Sequence, residues 1–240
     1  MSDTGTTSVN RLAGPMLELA DATPVFDESG MPPTPLTLRL MPGECVIVET
    51  RDMTRATVFA DLCSGMIHLL KGNVRFMGLD WTELNDRRRN ALRGRIGRIT
   101  RRAIWSNLFG THVAMMLKQL HHTTIPLETV TTDTEHLCER FGLPGIPTDV
   151  PGRLSEADIV RAACVRAFLG KPQLLLLEDP LETSPVDLSQ PFLESLTEAR
   201  DRGASAIWFV RDPTVWQRYR QAINGQWRLA DDGLMTIRMR

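Results

Sequence analysis

Two adjacent carboxylates, Glu178 and Asp179, end an unbroken apolar run, Leu174–Leu177, and are followed at once by Pro180. Neighbouring acids of this kind can hold a divalent cation with one side chain and polarise an attacking water with the other, although structural acids at a strand terminus explain this pair better. A second chemical stretch lies upstream, Glu49-Thr50-Arg51-Asp52-Met53-Thr54-Arg55-Ala56-Thr57, where guanidiniums and carboxylates alternate with hydroxyls. A third is the run Arg87, Arg88, Arg89, Arg93, Arg95, Arg98, Arg101 and Arg102. It is the chain's one signal for nucleic acid or an acidic membrane, and a solvated basic helix face explains it better, because no aromatics interleave. His112, His121 and His122 lack the i, i+4 register of a metal site, so none is assigned. Cys45, Cys63, Cys138 and Cys164 are scattered, as buried reduced thiols are.

The elements that position these groups can be read from pattern. Leu174–Leu177 is short and apolar throughout, as a buried strand of a parallel sheet is, and Glu178-Asp179 then lies at its carboxyl end, where open α/β sheets place ligands. Ser155 and Asp158 make a helix-start signal, and Ile159, Ala163 and Ala167 form that helix's apolar stripe. Met41–Glu44 turns into the apolar strand Cys45–Val48, and Val58, Leu62, Met66 and Leu69 keep helical spacing after it. Leu17–Leu19 and Leu36–Leu40 alternate like strands, Phe192–Arg200 reads as a helix and Ala206–Val210 as another buried strand. At 240 residues with 42% hydrophobic and 24% charged residues and a net charge of -1, the chain can bury one full core. That balance excludes disorder and wholesale polyanion binding. Residues 1–14 are polar and expected to be loose, with no signal-peptide pattern, and no apolar run is long enough to span a bilayer.

The block Gly152–Pro180 resembles the signature, helix and Walker B region of ABC transporter ATP-binding subunits. Leu154 and Ser155 match the family's LSGGQ, while Glu156, Ala157 and Asp158 replace its Gly-Gly-Gln; Arg161 and Arg166 fall where the family's helix arginines fall. The resemblance spans residues 15–240 in order. It implies a P-loop NTPase-like α/β sheet with an N-terminal antiparallel β-subdomain and an inserted helical subdomain at about 103–154. It also implies where a nucleotide site would be, and there the residues depart. In the phosphate loop, which needs glycines for backbone to wrap phosphate, Glu49 and Thr54 take glycine positions, Arg55 the lysine and Ala56 the Mg²⁺ hydroxyl, with Thr57 next. Glu178-Asp179 reverses the family's Asp-Glu, Arg101 stands for the metal-contacting glutamine, and Arg211 for the γ-phosphate histidine. Glu182–Pro185 departs from the dimer-contacting D-loop. Gly72–Gly78 resembles the family's hairpin edge, Ile96–Ile99 the strand before the glutamine, and Trp227–Ile237 the closing hairpin.

These departures predict a degenerate ABC subunit, a pseudo-ATPase kept for a structural or regulatory role. ATP is then held weakly or through a partner subunit, and no other cofactor is assigned. The resemblance further implies a permease partner, an ABC ATPase partner or a second copy, and a cytoplasmic location on the inner face of the membrane. Trp105, Phe109 and Met115 are the candidates for the permease-docking groove, with core packing as the other reading. Phe26 is the candidate adenine contact, or else a plain loop phenylalanine. Two alternatives stand beside this reading: an impaired but working ATPase using Arg51 and Arg55, and a non-transport adaptor binding acidic lipid or nucleic acid through the arginine run.

Overall fold

A computed structural model describes residues 14–26, 30–101, 105–182, 184–212 and 217–237, so most of the segment expected to be loose lies outside it. Two sheets make the frame. The smaller is antiparallel, with β1 (Leu17–Pro24) between β2 (Leu36–Leu40) and β4 (Leu69–Phe76), and β5 (Leu79–Asp80) at the edge. Period-2 alternation drives it: Leu36, Leu38 and Leu40 point inward while Thr37 and Arg39 face solvent.

The larger sheet is ordered β10-β9-β3-β8-β7-β6. Its strands are β3 (Cys45–Glu49), β6 (Ile96–Ile99), β7 (Leu174–Glu178), β8 (Ser205–Val210), β9 (Gly225–Ala230) and β10 (Gly233–Ile237). All neighbours pair in parallel except the β9–β10 hairpin. Every residue of β3, β7 and β8 is buried, because helices or the smaller sheet cover both faces. The pleat then sorts neighbours to opposite sides. Leu174 and Leu176 pack with Phe59 and Phe209 beneath the antiparallel sheet, whereas Leu175 and Leu177 pack with Phe168, Phe192 and Trp208 on the far side. A mostly parallel sheet beside a smaller antiparallel one is the α/β arrangement that the sequence resemblance implies.

Among the described residues six α-helices complete it: α1 (Met53–Cys63), α2 (Asp86–Arg93), α3 (Thr111–His122), α4 (Leu127–Arg140), α5 (Glu156–Phe168) and α6 (Ser189–Asp201). The first of these corrects the helical spacing read through Met66 and Leu69. α1 stops at Cys63, because Gly65 turns the backbone to φ 64 with its α-carbon against the Trp81 ring; Met66 is exposed and Leu69 opens β4. Gly97 is needed for a different reason, since α5 crosses β6 so closely that a β-carbon there would collide with the Ala167 carbonyl. α3 and α4 form the inserted helical region. Among the described residues no helix is long and apolar enough to cross a membrane.

Candidate functional site

The carboxyl ends of β9, β3, β8, β7 and β6 line up along one edge, and charges of opposite sign meet across it. Arg228 of β9 stands level with Glu49 of β3 and donates to its Oε2 at 3.2 Å, while Gln226 donates to Oε1. Glu49 is thus a buried carboxylate with both oxygens held, at the place where the phosphate loop needs a glycine. Thr50 N–H donates to the Val210 carbonyl at 2.9 Å, tying the loop to β8. Asp52 is the N-cap of α1 and accepts from Thr54 N at 2.9 Å. A carboxylate of the chain itself therefore sits at the helix N-terminus, the position that attracts phosphate in loops of this kind. Arg55, at the lysine position, turns outward to Asp231 in the β9–β10 turn and lies 3.7 Å from Asp52. Glu49, Thr50, Asp52, Arg55 and Asp231 line a cavity of about 490 Å³ together with Arg51, Arg211 and Arg228.

At the end of β7, Glu178 is 1% exposed. Its Oε2 accepts the Thr57 hydroxyl at 2.6 Å, and its Oε1 accepts Arg98 Nη2 at 3.1 Å. Arg98 reaches from β6 and also donates to the Thr57 carbonyl at 3.1 Å and to Asp61 of α1. Burial opposes charge on this guanidinium, but the bonds and proximity to Asp61 and Glu178 outweigh it and raise its pKa.

Asp179 follows in a left-handed conformation, φ 42, with Oδ2 buried and unpartnered among the described residues. Burial pushes its pKa up to about 6, helped by Glu182 and opposed by the Arg211 backbone N–H and by the Arg211 and Arg101 guanidiniums. Glu182 lies between those two arginines, 3.7 Å from Arg211 and 3.8 Å from Arg101. The residues expected at the glutamine and histidine positions are thus brought together, on a carboxylate from the loop after β7.

These geometries test whether Mg²⁺ and a nucleotide, which the fold family implies, fit this chain. They do not. The carboxylate at the metal position is saturated by a guanidinium and a hydroxyl, and the helix N-terminus is capped by Asp52. Ala56, at the Mg²⁺-hydroxyl position, is fully buried and offers no oxygen.

The remaining predicted residues separate. Ser155 caps α5, accepting from Asp158 N at 3.1 Å and giving its proton to Asp158 Oδ2 at 2.7 Å, so the hydroxyl of the signature segment is already used. Leu154 is half-buried and Glu156 exposed beside it. Phe109 is exposed, and Trp105 is half-buried with its ring 4.3 Å from the Arg166 guanidinium. Met115 is fully buried with Cys45, Ile47 and Phe141, which corrects its place in a docking groove: it is core. Phe26 is exposed after β1.

The arginine run also resolves into separate tasks. Arg89 donates to the Trp81 carbonyl; Arg93 donates to the Ser64 and Gly65 carbonyls and lies over the Trp81 ring. Only Arg87, Arg88, Arg95 and Arg101 among the described members are exposed, and Arg102 lies outside the described residues. Burial pushes the thiols of Cys45 and Cys164 up to about 12, which leaves them unreactive.

Asp61, Arg98, Gln226, Arg228 and Asp231 were not singled out for this edge by the sequence. A signal for Arg98 existed: a cation inside the apolar strand Ile96–Ile99 needs a buried counter-charge.

No family model matches this chain. Among curated proteins it is 26% identical over 169 residues to the phosphonates import ATP-binding protein PhnC 2 of Synechococcus sp. (strain JA-2-3B'a(2-13)), covering 67% of this chain and 62% of that protein. Over 191 residues it is 23% identical to the cell division ATP-binding protein FtsE of Escherichia coli (strain K12), covering 76% and 82%. The chain thus spans less than two thirds of the first relative's length. Among solved structures, an ATP-binding subunit of an ABC transporter superposes with a TM-score of 0.77 at 15% identity, over 92% of this chain and 90% of that one. The ATP-binding cassette MJ0796 bound to ADP and Pi gives 0.77 at 15% identity, over 94% and 100%. The chain has the fold of these ATP-binding subunits, and its sequence is similar to that of ABC transporter ATP-binding subunits.

Proposed function

We propose that this chain is a degenerate ATP-binding subunit, a pseudo-ATPase that serves a membrane transport complex as a structural or regulatory part. It pairs with a competent ATPase or with a second copy and docks on a permease at the cytoplasmic face of the membrane. The observation that carries this reading is Arg98 on Glu178: the carboxylate that would organise Mg²⁺ is neutralised inside the protein. Positioning supplies most of phosphoryl-transfer catalysis, so a site without a metal ligand, a lysine or a free helix N-terminus has no route to turnover. The exposed Leu108 and Phe109 support the docking role, since a neighbouring pair of large apolar side chains in water invites a partner. The test is the purified chain with millimolar Mg-ATP, followed by thermal shift and phosphate release. Neither should move; turnover abolished by Asp179→Asn would overturn the reading.

One observation favours the impaired-ATPase alternative. Arg51 lines the 490 Å³ cavity and has no counter-ion among the described residues, so it is available to an anion. On that reading ATP raises the melting temperature and Arg51→Ala abolishes the rise.

A further inference from the structure

We infer that Arg98 is a resident cation that replaces a divalent metal in assembling this edge, so that the joint between α1, β6 and β7 forms without metal or nucleotide. The inference rests on the reading that the chain does not use Mg-ATP, and it adds what does the work instead. One guanidinium joins three elements. It leaves β6 and meets Asp61 and the Thr57 carbonyl of α1, the latter at 3.1 Å, and Glu178 Oε1 of β7, also at 3.1 Å. Thr57 closes the ring by donating its hydroxyl to Glu178 Oε2 at 2.6 Å.

Its partners are hard oxygen donors, two carboxylates and a carbonyl, and the Thr57 hydroxyl, bonded to Glu178, stands beside them. This is the donor set that Mg²⁺ or Mn²⁺ takes. Here a group that cannot lose its charge lies among them, and Glu178, buried to 1% exposure, has no other cationic side chain bonded to it among the described residues. Arg101 offers only a backbone N–H at 3.5 Å to the same carboxylate. Arg166, whose pKa burial and then the charge of Arg98 lower, is stacked on Trp105.

The role predicts a latent site. Removing the guanidinium leaves Asp61 and Glu178 facing each other across a gap with Thr57 beside them, and a divalent cation should fill it. The experiment compares the native chain with Arg98→Gln, Arg98→Ala and Arg98→Lys, in EDTA and in millimolar MgCl₂ or MnCl₂, all without nucleotide. The native chain should melt at the same temperature in every condition. Arg98→Gln and Arg98→Ala should melt lower in EDTA and recover in Mn²⁺, by roughly 5 °C when the metal is a hundredfold above its Kd. Arg98→Lys should recover part of the loss without metal. A variant that does not fold in EDTA is refolded with and without Mn²⁺, and recovery of soluble protein becomes the readout.

Indifference of Arg98→Gln and Arg98→Ala to metal, in melting and in refolding, overturns the inference. So does stabilisation of the native chain by Mn²⁺ or Mg²⁺ alone. A native chain that binds ATP equally well in EDTA retires the pseudo-ATPase reading and leaves the role of Arg98 standing, so the two failures are distinguishable.

Discussion

Asp179 gives the sharpest handle on the electrostatics of this edge. Its pKa is raised from 3.8 to about 6, chiefly by burial and then by Glu182. A carboxyl whose folded pKa lies above its unfolded one binds more protons in the native state, so its protonation favours folding. That stability is fully present below about pH 4 and is lost as pH rises through 6. Two units correspond to about 3 kcal/mol, and partial access to solvent reduces this to about 1–2 kcal/mol. Asp179→Asn removes the charge at every pH. Asparagine also tolerates the left-handed backbone at φ 42, so the substitution introduces no new strain. The variant should therefore be more stable than the native chain by about 1–2 kcal/mol at pH 7.5, or about 2–8 °C in Tm for a chain of this size. The gap should close as pH falls towards 4. Urea titrations of both proteins at half-unit intervals from pH 4 to 8 read the effect directly. A destabilised variant at pH 7.5, or a constant gap across the range, would show that Asp179 is charged and satisfied in the native protein and refute the reasoning.

Two other substitutions separate structure from docking. Thr57→Val removes the 2.6 Å bond to Glu178 Oε2 and leaves that buried oxygen, among the described residues, with the Arg101 N–H at 3.5 Å, so urea unfolding should show a loss of about 1–3 kcal/mol. Phe109→Asp changes an exposed side chain and should alter stability by less than about 0.5 kcal/mol, yet, on the proposed docking role, release the proposed permease partner when membranes are solubilised and the chain is purified. Retention of the permease by that variant would count against docking at this surface.

The frame was legible because its signals are local. Four-residue apolar runs, the turn at Met41–Glu44 and the Ser155 cap each act within a few residues, and the strands fell where those patterns placed them. The end of α1 was not legible from spacing, because Met66 and Leu69 continue a helical period that the left-handed Gly65 interrupts. Met115 shows the same limit from the other side: an apolar residue on a helix does not reveal whether its face meets a groove or the core. The arginine run was misleading for a third reason. A guanidinium's partner depends on which strand lies alongside. Arg98 meets Glu178 only because β6 pairs with β7, and Arg93 meets Ser64 and Gly65 only because α2 folds back over the end of α1. Long-range pairing of this kind leaves no periodicity in the chain.

What the edge does with charge is the strongest argument about its role. A site for a nucleoside triphosphate must present surplus positive potential, because several negative charges arrive together. Here the arginines of this edge, Arg51 apart, are spent on acids of the chain: Arg228 on Glu49, Arg55 on Asp231, Arg98 on Asp61 and Glu178, Arg101 and Arg211 on Glu182. Asp52 and Asp179 add two more carboxylates to the same edge. A triphosphate would have to displace these pairs one by one and leave Glu49 and Glu178, both buried, without counter-charge, a cost of several kcal/mol each. The same pairs join β9 to β3, α1 to β6 and β7, and the loop after β7 to β6 and β8. Interactions that a bound ligand would otherwise supply are therefore made by side chains, and the edge is assembled before any partner arrives. A domain built this way is suited to present a fixed surface, and poorly suited to cycle between states on the binding and loss of a nucleotide.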